Sequence, residues 1–220
     1  MSNETVTDID GNVYTTVKIG NQIWTVENLR TTKYNDGTPI LHVIDDAEWS
    51  KLKTGAYCYY MNDDSNMKYG ALYNWFAVET EKLAPEGWRV PTYEDWDVLR
   101  DYLIANGYNW DKTIEKIEYN KLGKALASNG GEWQECDEEG CIGNNQDSNN
   151  SSGFSALPGG YRNLNGGFNS VGNNGYWWSA TEYGASNAYN HGLYYDKTHL
   201  HGLYDRKRMG LSVRLVRDAD

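Results

Sequence analysis

The 220-residue sequence lacks long apolar runs, is poor in basic residues and contains only three cysteines. No stretch approaches the roughly 20 apolar residues of a membrane-spanning helix. The N-terminus has neither the basic start nor the apolar core of a secretory signal. Twenty Lys and Arg against 31 Asp and Glu give a net charge of -11, which opposes binding to nucleic-acid phosphates. These absences predict one domain over residues 1–220, with no transmembrane segment and no nucleic-acid partner.

The few cysteines do not identify a reactive site. Cys58, Cys136 and Cys141 cannot all pair within one chain, and their spacing is not that of a metal site. Cys136 and Cys141 could close a short loop, although a free thiol is an equally good interpretation, so the redox compartment stays open. The sequence also has no Gly-x-Ser-x-Gly motif and no Gly-rich phosphate loop before a helix.

Aromatic residues and glycine are abundant instead. Aromatics make up 14% of the chain, with 18 Tyr and 9 Trp against 3 Phe, and there are 23 Gly. Disordered chains are poor in aromatics, whereas Tyr and Trp combine an apolar body with a polar tip that suits packed loops and binding surfaces. The composition therefore predicts a folded, loop-rich protein.

The N-terminal part predicts short strands. Residues 13–19 alternate, with Val13 and Ile19 in the apolar phase, and Gly20-Asn21 supplies turn chemistry before residues 22–26, which predicts a hairpin. One helical turn is predicted over 45–52.

Two helices are predicted further along, followed by strands. Thr92 is a suitable N-cap with Asp95 three residues later, and Trp96, Leu99 and Leu103 recur at helical spacing. A second helix is predicted over 113–128, with a break at Gly123 as the alternative. Residues 153–217 show no helical period and contain many Gly and Asn turns. The order of elements predicts an α+β fold with an antiparallel sheet.

Several runs together resemble one family, the Fibrobacter succinogenes major paralogous domain. These runs are TVKIGNQIW (16–24), ENL (27–29), GALYNW (70–75), APEGWRVPT (84–92), GFSALPGGYR (153–162), YWWSATE (176–182) and SVRLVR (212–217). The resemblance implies a C-type-lectin-like fold of the formylglycine-generating-enzyme branch, with two helices, a small twisted antiparallel sheet and extensive loops. It also implies a scaffold over about 12–182, a ligand-binding segment over about 183–209 and a closing strand over 210–217.

The activities found on this fold are tested by residue type. An oxidase of the formylglycine-generating type needs a late pair of cysteines for copper and electron transfer, and no cysteine follows Cys141. We therefore expect no enzymatic activity. Calcium-dependent lectins usually carry Glu-Pro-Asn or Gln-Pro-Asp motifs, which are absent. The acidic loops at 63–64 and 137–147 could hold a structural Ca²⁺, although acidic runs are usually solvated faces, and no cofactor is expected.

Histidines and arginines have two interpretations each. His199 and His201 would share one face of a strand, with His191 ten residues before His201, so a divalent-metal site is conceivable; contact residues are the favoured interpretation. Arg162, Arg214 and Arg217 are interpreted as structural residues, with ligand binding as the alternative, and are expected to pair with carboxylates such as Glu94 or Glu182.

The segment that follows Trp178 carries the predicted ligand face. Its mixture of Tyr, Ser, Asn, His and Gly resembles an antibody paratope, in which rigid aromatic anchors stand beside small polar groups. An ordinary irregular tail with packed aromatics is the alternative. The candidate ligand-binding residues are Tyr183, Ser186, Asn187, Tyr189, Asn190, His191, Leu193, Tyr194, Tyr195, His199, His201, Leu203, Tyr204, Asp205 and Arg206.

Composition also favours diversification of this segment. Displayed variable proteins of diversity-generating retroelements share the fold that the resemblance implies, and their variation acts mainly on AAY codons, whose products exclude Glu, Gln, Lys, Met and Trp. Between Tyr183 and Arg206 only Lys197 lies outside the permitted set. We expect a variable protein on a phage particle or bacterial surface that binds a cell-surface protein or glycan. The alternative is a surface lipoprotein adhesin without its signal, and an oxidase relative is a remote third.

Overall fold

The structure is a computed structural model that describes residues 4–114 and 120–219. In this part of the chain short strands outnumber helices, so the protein is a β-rich α+β protein, as predicted. The strands are β1 (Thr5–Thr7), β2 (Val13–Ile19), β3 (Gln22–Thr25), β4 (Leu41–His42), β5 (Ala56–Cys58), β6 (Leu72–Tyr73), β7 (Gly159–Arg162), β8 (Phe168–Val171), β9 (Asn174–Glu182), β10 (Asn187–Tyr194), β11 (His201–Arg206) and β12 (Val216–Asp218). The α-helices are α1 (Asp46–Trp49), α2 (Trp75–Val78), α3 (Tyr93–Ala105) and α4 (Gly123–Leu126).

The strands form three sheets rather than one small antiparallel sheet. A four-stranded sheet has the order β1-β2-β3-β12, a five-stranded sheet the order β11-β10-β9-β7-β8, and a three-stranded sheet the order β4-β5-β6. Most pairs are antiparallel, but β7 pairs with β9, and β4 with β5, in parallel. Strand β12 returns to the N-terminal hairpin through Val216 opposite Trp24, so both ends of the chain share one sheet.

The predicted hairpin is present, but its burial differs from the predicted phase. Strands β2 and β3 pair from Thr16 opposite Thr25 to Ile19 opposite Gln22. Tyr14 is fully buried, whereas Val13 is 51% exposed. The Tyr14 hydroxyl donates a hydrogen bond to Asp8 Oδ2 at 2.5 Å, and this polar partner inside the fold lets the tyrosine replace valine as the buried residue.

Two neighbouring tryptophans on β9 connect the sheet to two separate cores. Successive side chains of a strand point to opposite faces, so Trp177 and Trp178 diverge. Trp177 packs in the core that contains Trp24 and Trp96 under helix α3. Trp178 packs in the core that contains Tyr73 of β6 and Trp75 of α2, and its indole N–H donates to the Tyr73 carbonyl at 2.8 Å.

Helix α3 begins at the predicted capping box. The Thr92 side chain accepts from the backbone N–H of Asp95 at 3.2 Å, and Asp95 Oδ2 accepts from the Thr92 backbone N–H at 2.9 Å. Asp95 also binds the Arg89 guanidinium, with Nε–Oδ2 at 3.0 Å and Nη2–Oδ1 at 2.7 Å. Burial alone would raise the pKa of Asp95, but the hydrogen bonds from Arg89 and Thr92 outweigh it, so the pKa lies below its ordinary value.

We expect Asp95→Asn to lower the free energy of unfolding at pH 7 by about 1–2 kcal/mol, because the cap and Arg89 lose a charged acceptor. The folded-state pKa lies below the unfolded value of about 4. The stabilisation is therefore complete above that pH and is lost as the pH falls through the folded-state pKa. Urea unfolding of the wild type and Asp95→Asn at pH 7 and at pH 3 tests this, because the difference in the free energy of unfolding between them should be smaller at pH 3. Asp218→Asn is the matched control, since Asp218 meets the same arginine with its side chain 78% exposed; an equal loss in both variants would contradict the assignment.

The helix predicted over 113–128 is present in its described part only as the short helix α4. Residues 115–119 lie outside the described residues, and only Gly123–Leu126 is helical. Loop contacts compete with the helix. Asn120 exchanges two side-chain hydrogen bonds with the backbone of Leu200, at 3.0 and 2.9 Å, and the Gly123 N–H donates to the Thr198 carbonyl at 2.7 Å. These contacts to a distant segment use backbone and side-chain groups that a longer helix would orient elsewhere.

The structure shows how the cysteines are paired and how long the helices are. Cys136 and Cys141 form a disulfide, which closes a short loop, while Cys58 is a buried free thiol. Burial raises the pKa of Cys58 to about 12, so it is a packed side chain rather than a nucleophile. Among the described residues no helix is long and apolar enough to cross a membrane.

Candidate functional site

The candidate segment folds into strands β10 and β11 at one edge of the five-stranded sheet. In the ladder between them Tyr189 lies opposite Tyr204, His191 opposite Gly202, and Gly192 opposite His201. Because the side chains of a strand alternate between faces, the candidates divide into two groups. One group faces helix α3, and the other faces away from it.

Four tyrosines form a contiguous group on the face towards α3, which we call the tyrosine cluster (Tyr93, Tyr183, Tyr189 and Tyr204). Ring centroids are 4.6 Å apart for Tyr93 and Tyr189, 4.9 Å for Tyr183 and Tyr189, and 4.2 Å for Tyr183 and Tyr204. Tyr204 is 55% exposed and Tyr183 is 41% exposed. The cluster is therefore an exposed aromatic patch whose rings support one another.

Two candidates beneath the cluster are buried and cannot contact a ligand directly. His191 is 3% exposed and stacks on Trp96 with ring centroids 4.7 Å apart, and Leu193 is fully buried in the same core. Burial lowers the pKa of His191 to about 3, so the imidazole is neutral at physiological pH. These side chains support the face from below.

A row of aromatic rings crosses the opposite face of the sheet. Neighbouring ring centroids are 5.4, 5.7, 4.2 and 3.8 Å apart along the row. The row consists of Tyr161, Tyr176, Tyr194, His201 and His199. All five side chains are partly buried. Burial lowers the pKa of His201 to about 4 and also lowers that of His199, so this row carries little positive charge at neutral pH.

A buried polar pair lies beside this row. Asn190 is fully buried, and its Nδ2 donates to Asp205 Oδ2 at 3.1 Å. Burial raises the pKa of Asp205, and the hydrogen bond from Asn190 opposes this only partly. Asn190 is thus another candidate that holds the strands together instead of meeting a ligand.

The remaining candidates lie at the strand ends and in the connecting loop. Ser186 and Arg206 are exposed beside the β9–β10 turn, Asn187 is half-buried there, and Leu203 lies half-buried on the face of the aromatic row. Tyr195 packs against the core under α3. The structure therefore brings most of the candidates to one sheet edge but does not gather them on one surface.

The two groups include residues that the sequence assigned to the scaffold. Tyr93 completes the tyrosine cluster, and Tyr161 and Tyr176 begin the aromatic row. Tyr161 and Tyr176 lie within motifs interpreted as packing anchors, and only the strand order places them beside Tyr194. The alternation of side chains along each predicted strand could have shown which face of the sheet each tyrosine occupies. It could not have shown which side chains of other strands lie beside it.

Possible metal ligands are not assembled in the described part of the chain. There, no group of three or more His, Cys, Asp or Glu side chains is placed to hold a metal ion. His199 and His201 do meet, but His191 lies on the opposite face of the sheet. In the acidic loop at 63–64, Asp63 accepts a hydrogen bond from the Ser65 backbone N–H at 2.8 Å.

The predicted pairing of the arginines with carboxylates is confirmed for Arg162 and Arg217, although the carboxylates are Asp46 and Glu4, and it is wrong for Arg214. Arg162 pairs with Asp46 at 2.9 Å and Arg217 with Glu4 at 2.7 Å, while Arg214 is surrounded by carbonyl oxygens. Glu182 instead pairs with Lys207. The sequence shows which carboxylates are present but not which one an arginine meets, because the packing of the sheets decides which chain segments lie together.

The fold and this edge define a β-rich α+β domain with an exposed aromatic surface. A family model described as the Fibrobacter succinogenes major domain matches residues 17–217, and the chain belongs to this family. Neither a curated protein nor a solved structure matches the chain.

Proposed function

We propose that this protein is a non-enzymatic ligand-binding module that contacts a cell-surface protein or glycan through the tyrosine cluster. The observation that carries the proposal is the exposure of Tyr183 and Tyr204, 41% and 55%, within a stacked group of rings. Exposed aromatic patches commonly mark interaction sites. The supporting residues are fixed before a ligand arrives, because His191 and Trp96 stack under the same face.

The physical advantage of this arrangement is low entropy cost. A tyrosine offers a large contact area with few rotatable bonds and a hydroxyl for hydrogen bonding. Rings that already pack together, with centroids 4.2–4.9 Å apart, lose little further conformational freedom on binding. Small polar neighbours such as Ser186 and Asn187 add adaptable hydrogen-bonding groups at the rim.

We propose further that the fold is C-type-lectin-like. The pairing of β12 with β3 supports this, because it brings β1 and β12 into one sheet and leaves β7 to β11 as a separate sheet. A second support is the packing of α3 against both β2 and β9. We expect no cofactor to be required for this scaffold, and a structural Ca²⁺ in an acidic loop stays a proposal.

The proposed setting is display on a phage particle or a bacterial surface, with retroelement diversification of the exposed positions. The burial of Asn190, His191 and Leu193 restricts which positions tolerate variation, whereas Tyr183, Ser186, Tyr204 and Arg206 are exposed. A surface adhesin is the alternative setting. The codons of the exposed positions and the neighbouring genes distinguish the two.

The double variant Tyr183→Ala, Tyr204→Ala tests the proposed binding face. Truncation of interface hot spots of this type costs about 2 kcal/mol or more, so we expect at least about a 30-fold loss of affinity for cells or glycans captured by the wild type. The measurement is a cell- and glycan-binding screen, followed by titration of each positive. Tyr102→Ala is the control, because Tyr102 is 39% exposed on α3 and lies outside the cluster. Unchanged binding by the folded double variant would place the ligand face elsewhere.

A further inference from the structure

A cavity of about 320 Å³ opens beside the β9–β10 turn, next to the edge that carries the tyrosine cluster. Its charged lining residues are Lys53, Arg206, Lys207 and Arg208, and Ser186 of the turn also lines it. Leu52 and Phe76 form an apolar wall. Ligand pockets usually combine such an apolar wall with a few polar groups and begin at about 300 Å³. We call this cavity the basic pocket.

The charge of the basic pocket is opposite to that of the chain. The net charge is -11, yet among the residues that the structure describes no carboxylate lies within ion-pair distance of Lys53, Arg206 or Arg208. Arg208 is oriented by its hydrogen bond to the Ser50 carbonyl. Unpaired cations around one cavity repel each other, and an anion between them removes that repulsion.

Another cation of the lining is already neutralised. Lys207 is 8% exposed, pairs with Glu182 and with Glu79 at 3.7 Å, and lies 4.5 Å from the Trp75 ring centroid. It supports the wall without attracting an anion. On the other side, Asp45 and Glu48 line an adjoining hollow that shares Lys53 with the basic pocket. These carboxylates repel an anion there and favour the side of Arg206 and Arg208.

We propose that the basic pocket binds the carboxylate of an acidic sugar residue in a glycan. This inference rests on the proposed ligand-binding function and names its ligand class. A guanidinium offers a planar fork that matches a carboxylate, and both arginines reach the cavity. The apolar wall takes the C–H face of a sugar ring, and Ser186 offers a hydroxyl to a ring hydroxyl. A bare inorganic anion uses the cations but gains nothing from the wall.

Isothermal titration calorimetry of the full chain with sodium glucuronate, with glucose and with sodium sulfate tests the inference. We expect glucuronate to bind, and glucose and sulfate to bind at least about tenfold more weakly. Glucose lacks the carboxylate that meets the arginines, and sulfate lacks the sugar ring that meets the apolar wall. A hydrogen bond to a charged group contributes about 1.5–3 kcal/mol, which corresponds to about a 10- to 150-fold change in affinity. Arg206→Gln and Lys53→Gln should each weaken glucuronate binding by at least about tenfold. Both side chains are exposed, so the fold should be retained.

Lys18→Gln is the matched control, because it removes one exposed positive charge on β2, outside the cavity lining. It should leave glucuronate binding unchanged. The inference is overturned if glucuronate does not bind, if sulfate binds as tightly as glucuronate, or if the pocket variants bind glucuronate like the wild type. Capture of cells by the wild type that depends on Tyr183 and Tyr204 would then still support the proposed function, so the two failures are distinguishable.

Discussion

Replacement of Arg214 by methionine is expected to lower the free energy of unfolding by about 3–5 kcal/mol. The guanidinium is fully buried and donates four hydrogen bonds of 2.7–3.0 Å. The acceptors are Asn28 Oδ1 and the carbonyl oxygens of Thr25, Phe154 and Ser155. Burial lowers the pKa of Arg214 to about 9, so the group is still protonated at neutral pH. Methionine fills most of the volume but removes the donor to the carbonyl oxygens of Thr25, Phe154 and Ser155, whereas Asn28 Oδ1 keeps its hydrogen bond from the Trp177 indole N–H. Each buried acceptor that loses its donor is costly.

Denaturant unfolding of the wild type and Arg214→Met measures this effect. Arg100→Met is the control, because Arg100 pairs with Asp97 and Asp101 on the surface of α3 with its side chain 32% exposed. Surface ion pairs contribute about 0–1 kcal/mol. Equal losses in the two variants would show that charge alone, rather than the buried carbonyl contacts, accounts for the effect.

The second large effect is expected for Arg162→Met, at about 3–4 kcal/mol. Arg162 is fully buried and donates to the carbonyl oxygens of Val43 at 2.6 Å, Ile44 at 3.1 Å and Gly166 at 2.8 Å. Its guanidinium also lies 4.4 Å from the Trp49 ring centroid. The side chain thus joins β7 to the α1 region, and its removal takes the donor from the buried carbonyl oxygens of Val43 and Gly166, whereas the Ile44 carbonyl keeps its hydrogen bond from Asn62.

Asp46→Asn separates the ion pair from the carbonyl contacts of Arg162. The Asp46 side chain is 62% exposed, so solvent screens the pair and we expect a loss below about 1 kcal/mol. Thermal and denaturant unfolding of both variants makes the comparison. A loss in Asp46→Asn as large as that in Arg162→Met would assign the stabilisation to the ion pair instead.

Local signals predicted the elements that depend on neighbours in sequence. The hairpin over β2 and β3 follows from the Gly20-Asn21 turn, and Gly20 has the positive φ of +62° that the turn requires. Helix α3 follows from Thr92 and Asp95, whose side chains bond to backbone groups within the same turn. These contacts need no tertiary structure, so the sequence contains all their determinants.

Elements that depend on distant partners were not predictable in this way. The predicted helix over 113–128 includes residues 120–123, yet Asn120 and Gly123 bond to residues 198–200. Most partners of Arg162 and Arg214 are backbone carbonyl groups, which every residue carries, so no residue type marks them. Which carbonyls become available depends on how the chain ends and loops meet.

The candidate site shows the same division. The composition located the tyrosine-rich segment, because the last Trp of the chain is Trp178 and Tyr residues continue after it. The pairing of Tyr189 with Tyr204 and of Gly192 with His201 then sorted that segment into two faces. The burial of Asn190, His191 and Leu193 removed them from direct contact.

By itself, the sequence determined the α+β class, the family and the region rich in tyrosine. Only the tertiary structure decided that Tyr93 joins Tyr183 and Tyr204 in one exposed cluster, and that Lys53 meets Arg206 and Arg208 around one cavity. The physical reason is that a chain pattern specifies the direction of a side chain relative to its own strand or helix. Which other side chains it meets depends on strand order and register, and these are set by packing among segments far apart in sequence.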